Sequence, residues 1–200
     1  MNLSSIIQKL QRFIHVFFTT VPGNYTNRKL AILEELFIVT NDYMKSTGAV
    51  YWIDFGTLLG YHRENAILPH DIDVDFGCHE AEYEKVWRKR SELPKGFKLY
   101  DTSLRHRGPK LYFNYKGFDA DVYFYEEKDN TLTSYENSHY PSERTPFATE
   151  LALPVKPEKF LGQDTFVPAQ PKAYLEHIYN YLGSNGRRDS TTGYWYKKED

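Results

Sequence analysis

Asp71-Ile72-Asp73-Val74-Asp75-Phe76 alternates carboxylate and apolar side chains without a break. A period of two belongs to a strand with one buried face, so all three carboxylates share the other face, about 6.5 Å apart along the chain. Three like charges in a row repel unless something positive sits among them. A hard divalent cation held by carboxylate oxygens is the simplest remedy. A merely solvated edge strand would be expected to interleave Lys or Arg, and none is present. The DxDxD pattern followed by Glu82 also matches part of a calcium loop, but Phe76 stands where that loop needs Gly, and Pro69 precedes it where a helix is required. Asp119 and Asp121 repeat the alternation in DADVYFY. Two such strands side by side would make a metal cage, with the later one able to supply a base.

The surrounding pattern predicts α+β, a mixed sheet flanked by helices. Residues 4–21 are amphipathic, with Lys9, Arg12 and His15 interrupting the apolar positions, so no run reaches the ~20 apolar residues of a spanning helix. The segment also lacks the cleavage pattern of a signal peptide, and a helix packed on the domain is preferred over one lying on a membrane surface. Residues 29–47 read as a helix stopped by Gly48, AVYWIDF as a buried strand ending at Gly56, and Thr57 onward as a short helix. HEAEYEKVWRKRSEL is expected to be an amphipathic helix, and KLYFNY and DADVYFY a hairpin about Lys116-Gly117-Phe118. The stretch 127–150 reads as a long surface loop, 158–168 as a short hairpin about Gly162, and PKAYLEHIYNYL as a helix ending at Gly183. The expected division is 1–28 as N-terminal helix and linker, 29–183 as catalytic domain, and 184–200 as a loose polar tail that Trp195 could dock.

Composition narrows the chemistry. Formal charge is −2 over 200 residues, so bulk basicity does not advertise nucleic acid as a partner. The single cysteine excludes an internal disulfide and a Cys-rich zinc module, and Cys78 reads as a small buried residue rather than a nucleophile. A Gly-rich P-loop, a GxSxG elbow and a CxxC pair are all absent. The 17 tyrosines suit wet grooves, although most are expected in the core.

Gly56-Thr57-Leu58-Leu59-Gly60-Tyr61-His62-Arg63, followed by Ile67-Leu68-Pro69-His70-Asp71-Ile72-Asp73-Val74-Asp75, resembles the LicD family of nucleotidyltransferase fold. That family includes bacterial phosphocholine transferases and the fukutin-related proteins, and the resemblance runs from residue 29 to VPAQPKAYLEHIYNYLG. It implies a magnesium-dependent transferase, with manganese as a substitute. Such an enzyme moves a phospho-alcohol from a CDP-activated donor to a glycan or lipid-linked glycan hydroxyl and releases CMP. Carried over by position, Asp73 and Asp75 would be metal ligands with Asp121 as third carboxylate and base, Asp119 being the other candidate base. Asp71 and Asp119 would bind a second metal or orient their neighbours. Gly56, Thr57 and Arg63 would meet donor phosphates, and so would Lys110, which opens a strand beside the acidic one. His70 stands where the family often has Trp.

Arg105, His106 and Arg107 read equally as a phosphate or anionic-glycan contact and as a solvated basic loop. Tyr135, His139 and Tyr140 form the candidate acceptor surface. FLGQDTFVPAQPKAYLEHIY resembles the fukutin-related branch and implies a polyol phosphate, ribitol for example, with an aromatic cage for phosphocholine as the other option. An enzyme adding NMP to a small molecule and a non-catalytic glycan- or nucleotide-binding relative are the alternative readings. The expected setting is the cytoplasm, beside the membrane where lipid-linked glycans are built, with a homodimer as one way to complete the acceptor groove.

Overall fold

The computed structural model describes residues 3–138 and 140–199. Two helices open the chain, α1 (Leu3–Phe18) and α2 (Tyr25–Thr47), followed by β1 (Tyr51–Ile53), α3 (Phe55–Glu64) and β2 (Asp73–His79). Then come α4 (Tyr83–Arg88), β3 (Lys98–Asp101), β4 (Lys110–Tyr115), β5 (Phe118–Lys128), β6 (Thr131–Ser134) and β7 (Phe147–Ala148). The chain closes with β8 (Lys156–Phe160), β9 (Gln163–Val167), α5 (Pro171–Tyr179), β10 (Gly186–Arg188) and β11 (Trp195–Lys197). The main sheet has the order β1-β2-β5-β4-β3, with β6 and β7 continuing from the far end of β5. Only β2 and β5 pair parallel within it; its other pairings are antiparallel. The mixed sheet flanked by helices agrees with the α+β expectation.

The alternation in β2 and β5 decides which face is buried. Val74, Phe76 and Cys78 lie in register with Ala120, Val122 and Phe124, all at most 1% exposed. The amphipathic α2 covers this face, stacking Phe37 on Phe76 with ring centroids 5.7 Å apart, and Tyr43 of α2 donates from its hydroxyl to the Val86 carbonyl at 2.5 Å. Helix α2 begins where the Asn24 side chain accepts from Asn27 N–H, and it ends at Gly48, whose φ of +69° closes the last turn. Cys78 is buried inside this layer, as expected of a small packing residue.

Six segments differ from the sequence expectation. HEAEYEKVWRKRSEL is not one helix: His79 ends β2, and only Tyr83–Arg88 is α-helical, flanked by single 3-10 turns. Strand β1 stops at Ile53 because Asp54 turns away to cap α3, accepting from Phe55 N–H at 2.8 Å. The stretch 127–150 is not one long loop. Asp129 and Asn130 both hold positive φ and form a two-residue turn that pairs β5 with β6, and β7 pairs with β6. Helix α5 ends at Tyr179, because Asn180 leaves the helix with φ +67° and donates to the Trp195 carbonyl at 2.9 Å. The tail is not loose: β10 and β11 form a hairpin, and Trp195 is its docking point on Asn180. Helix α1 touches the domain through its polar edge, leaving its apolar stripe outward rather than packed.

Gly77 sits on the acidic face, beyond Asp75. A Cβ there would lie 2.4 Å from the Trp52 indole and 2.7 Å from Asp54 Oδ2, so the indole fits only over glycine. Gly77→Ala is expected to cost about 2 kcal/mol by overpacking and to lower Tm by about 4–8 °C. A differential-scanning melt with an unchanged Tm would show that Trp52 is not held against this strand.

Candidate active site

The register of β2 on β5 sets Asp73 opposite Asp119 and Asp75 opposite Asp121, on strands about 4.8 Å apart. Four carboxylates therefore occupy a two-by-two grid on one sheet face. Asn114 and Tyr112 extend its rows onto β4, opposite Asp119 and Asp121. Asp71 lies just before β2, with Lys29 of α2 donating to the carbonyls of Pro69 and Asp71 at 2.8 and 2.6 Å.

The turn from Asp54 to Thr57 is strapped to Asp75 by three hydrogen bonds. Asp54 N–H donates to the Asp75 carbonyl at 2.9 Å, Gly56 N–H to its carboxylate at 3.1 Å, and Asp75 N–H donates to Thr57 Oγ1 at 2.8 Å. Asp54 is fully buried beneath this turn and accepts from the hydroxyls of Tyr125 at 2.6 Å and Tyr174 at 2.8 Å. Phe55 adopts φ +37°, an unusual conformation for a non-glycine residue, and its ring packs on Tyr123 with centroids 4.7 Å apart. A Cβ on Gly56 would lie 3.4 Å from both Asp71 Oδ2 and Asp75 Oδ2, so glycine keeps a space one carbon wide between turn and carboxylates. Gly60 serves packing instead: a Cβ there would meet the Ala66 carbonyl at 2.3 Å.

Two cavities flank the grid. One of about 410 Å³ is bordered by Gly56, Arg63, Asp71, Asp73 and Asp75 together with Tyr179, Tyr181, Arg188 and Trp195. The other, about 330 Å³, is bordered by Lys110, Asp119, Asp121 and Glu136, with Gln8, Arg105, His106 and Tyr112 around them. Asp73 and Asp75 thus border the first, and Asp119 and Asp121 the second.

The structure distributes the sequence-derived candidates between these spaces. Arg63 borders the first cavity, although its guanidinium also donates to the carbonyls of Leu182 and Gly183 at 2.6 and 2.8 Å. Thr57 is buried and spends its hydroxyl on Asp75, so it positions a carboxylate rather than facing the cavity. Lys110 belongs to the second cavity, not beside Gly56. Its ammonium lies 3.1 Å from Asp121, 3.3 Å from Glu136 and 3.1 Å from the Tyr123 ring centroid. Asp119 is taken up by Asn114 at 2.6 Å, Gln8 at 2.9 Å and Arg12 at 3.3 Å, which makes it an anchor for α1. Arg105 and His106 border the second cavity, but Arg107 is committed to the Ser134 carbonyl. Tyr135 donates to Glu80, Tyr140 lies under Arg188 at 3.9 Å, and His139 lies outside the described residues. His177 contacts the Thr145 carbonyl and the Phe147 ring, away from both cavities.

Asp54, Tyr174, Lys29 and Arg188 of the tail escaped the sequence reading, which offers Trp195 only as a docking point for the tail. Asp54 carried a signal, since an Asp immediately before a helical pattern is an N-cap. The tail residues carried none, because a hairpin brings Arg188 and Trp195 to the cavity from far along the chain.

Burial controls the charge of the site. It pushes Asp54 up to about 6, partly offset by its hydrogen bonds from Tyr125, Phe55 and Tyr174. Burial, then the charges of Asp121 and Asp71, push Asp73 up to about 6. Asp75 is raised well above the ordinary range by burial and by the Asp73 and Asp121 charges, and burial raises Asp71 as well. Carboxylates that resist ionisation in this way are suited to a hard divalent cation, and Asp71 Oδ2 is buried without a hydrogen-bond partner. As the side chains stand, no three potential ligands among the described residues converge on one point. Sharing a cation would require Asp121 to turn from Lys110.

These shifts have a testable sign. A carboxylate with a raised native value holds more protons when folded than when unfolded, so its penalty grows as pH rises from about 4 through about 6. With divalent ions chelated, Asp73→Asn is expected to match wild type near pH 4 and to exceed it in stability at pH 7 by up to about 3 kcal/mol. Thermal melts across pH 4–8 measure the difference. A constant offset, or one that shrinks as pH rises, would contradict the placement of Asp73 beside other buried carboxylates.

Residues 48–170 match the family model described as LicD/FKTN/FKRP, nucleotidyltransferase domain. That span holds the glycine turn and every carboxylate of the grid, and it leaves out α1 and the β10–β11 hairpin. The uncharacterized protein RT0683 of Rickettsia typhi is 26% identical over 178 residues, covering 87% of this chain and 54% of that protein. Ribitol-5-phosphate transferase FKTN of Homo sapiens is 30% identical over 105 residues, 48% of this chain and 22% of the human protein. The chain thus spans about half of the first relative and about a fifth of the second. Among solved structures, ANT(2")-Ia in complex with adenylyl-2"-tobramycin aligns over 68% of each chain at TM-score 0.43 and 12% identity, too slight a likeness to bear on the site. With 123 of its 200 residues inside the family model, the glycine turn and both acidic strands among them, the chain belongs to the LicD family.

Proposed function

We propose that this chain is a phospho-alcohol transferase that moves the group from a CDP-activated donor to a glycan hydroxyl and releases CMP. The observation that carries the reading is the carboxylate grid set between two cavities, one for each substrate. A hydrolase needs only one organic substrate site. A group transfer needs two that meet at the reacting phosphorus.

The donor fits the larger cavity. Arg63 and Arg188 place positive charge on its border, and Tyr179, Tyr181 and Trp195 offer flat surfaces for a base. Asp73 and Asp75 would hold magnesium, which when bound supplies neutralisation of the diphosphate charge. The straps from Gly56 and Thr57 keep Asp75 in place, so little rearrangement is needed there as the donor binds.

The acceptor fits the smaller cavity. Asp121 takes the proton from its attacking hydroxyl as the oxygen bonds to phosphorus, and the bond from phosphorus to the CMP oxygen breaks. Lys110 offsets the Asp121 and Glu136 charges while the cavity is empty and can then bind an acceptor oxygen. The polar border of Arg105, His106, Glu136 and Tyr112 suits a sugar. The likeness to a ribitol-5-phosphate transferase supports ribitol phosphate as the first donor group to test.

CMP release from CDP-ribitol, CDP-glycerol and CDP-choline with mixed acceptor glycans tests the reading. Magnesium-dependent release from one donor is expected, falling at least about 10³-fold in Asp73→Asn, Asp75→Asn and Asp121→Asn. Magnesium should also raise the Tm of wild type and not of Asp75→Asn. Diphosphate release from a nucleoside triphosphate, without CMP from any donor, would replace the proposal with a nucleotidyltransferase.

A further inference from the structure

Helix α1 is amphipathic the wrong way round for a packing helix. Its polar edge faces the protein: Gln8 and Arg12 donate to Asp119 at 2.9 and 3.3 Å, and Arg12 donates to the Gly117 carbonyl at 2.5 Å. A Cβ on Gly117 would lie 3.0 Å from the α1 backbone, so the helix is seated tightly on the β4–β5 turn. Val16 is buried, and Arg28 donates to the carbonyls of Phe17 and Val21, tying down the C-terminal end. The orientation is therefore fixed by several contacts.

That orientation points the apolar side outward. All eight large apolar side chains of α1 other than Val16 are exposed, with Leu10 at 56%, Phe13 at 57%, Phe17 at 62% and Phe18 at 75%. At 3.6 residues per turn they fall within about 140° of arc, opposite the edge that carries Gln8 and Arg12. Phe13, Phe17 and Phe18 form a contiguous aromatic patch, with centroids 6.1 and 5.2 Å apart. A single exposed leucine would need no explanation, but a continuous stripe along a 16-residue helix marks a surface that is covered in use.

Charge identifies the cover. The first 33 residues contain no Asp or Glu; of their cations, Arg12 is paired with Asp119 and Lys29 is buried on backbone carbonyls, while Lys9 is exposed beside the stripe and Arg28 is half-buried at the end of α1. A second copy laid on this stripe would bring two acid-free basic helices together. An anionic lipid surface meets the same charge with the opposite sign. No helix among the described residues is long and apolar enough to cross a membrane, so the contact is one of lying on the surface.

We infer that α1 binds an anionic bilayer in the plane of its interface, with the stripe from Leu3 to Phe18 entering the headgroup and acyl boundary. Gln8 borders the smaller cavity from the opposite side of the same helix, which sets that cavity about one helix diameter, ~10 Å, from the lipid. A lipid-linked acceptor would therefore have a short reach to Asp121. The inference does not depend on the transferase reading, because vesicle binding is measured without turnover.

Flotation of the full chain with vesicles of 30% phosphatidylglycerol in phosphatidylcholine tests it. Wild type is expected to float with these vesicles, and less with pure phosphatidylcholine or in 0.5 M salt. Leu10→Glu with Phe17→Glu should weaken partitioning at least tenfold, and so should the uncharged pair Ile7→Asn with Ile14→Asn. These side chains are exposed, so circular dichroism and Tm should stay at the wild-type values. Wild type left in solution with every vesicle, or both pairs floating like wild type, would overturn the inference. A dimer by light scattering that the variants split, with no vesicle binding, would assign the stripe to a second copy instead.

Discussion

Repulsion among buried and half-buried carboxylates on β2 and β5 is the constraint around which the rest of this structure is arranged. The parallel register that pairs Asp73 with Asp119 and Asp75 with Asp121 also places Val74, Phe76, Ala120 and Val122 in one apolar layer. Moving β2 by one residue would bury the charges and expose the core, so the same hydrophobic drive that forms the sheet enforces the charge cluster. Each carboxylate is then managed separately: Asp119 by Asn114, Gln8 and Arg12, Asp121 by Lys110, and Asp75 by the turn at Gly56. Asp73 receives the least direct help, and burial with the charges of Asp121 and Asp71 raises its value.

Much of this was legible in the sequence because a period of two is a strong local signal. The alternation in DIDVDF and DADVYFY located both acidic strands, and the glycines of GTLLG marked the turn between strand and helix. The shared face followed from alternation alone, but the parallel pairing did not. It depends on α3 and the loop after it carrying the chain back, and on α4, β3 and β4 intervening before β5. The roles of Thr57 and Lys110 were also beyond local pattern. A Thr hydroxyl that accepts from a backbone N–H eighteen residues away, and a Lys between carboxylates on two elements, are tertiary facts.

The misread segments share a cause. Asp129-Asn130 has the composition of either a loop or a tight turn, and only the pairing of Thr131–Ser134 with the end of β5 decides between them. The tail is polar because most of it is solvated, yet Arg188 and Trp195 border the cavity. In α1 the periodicity was read correctly and the direction was not. An amphipathic pattern states that one side differs from the other; it does not state which side meets the protein. Here a half-buried carboxylate, Asp119, holds the polar edge through Gln8 and Arg12.

The central claim is that the grid holds a divalent cation together with a nucleoside diphosphate, and manganese titration followed by electron paramagnetic resonance tests it most directly. The account predicts one saturable site that tightens at least tenfold when CDP is added and is lost in Asp75→Asn. Binding that is absent with CDP present, or that persists unchanged in Asp75→Asn, would contradict it.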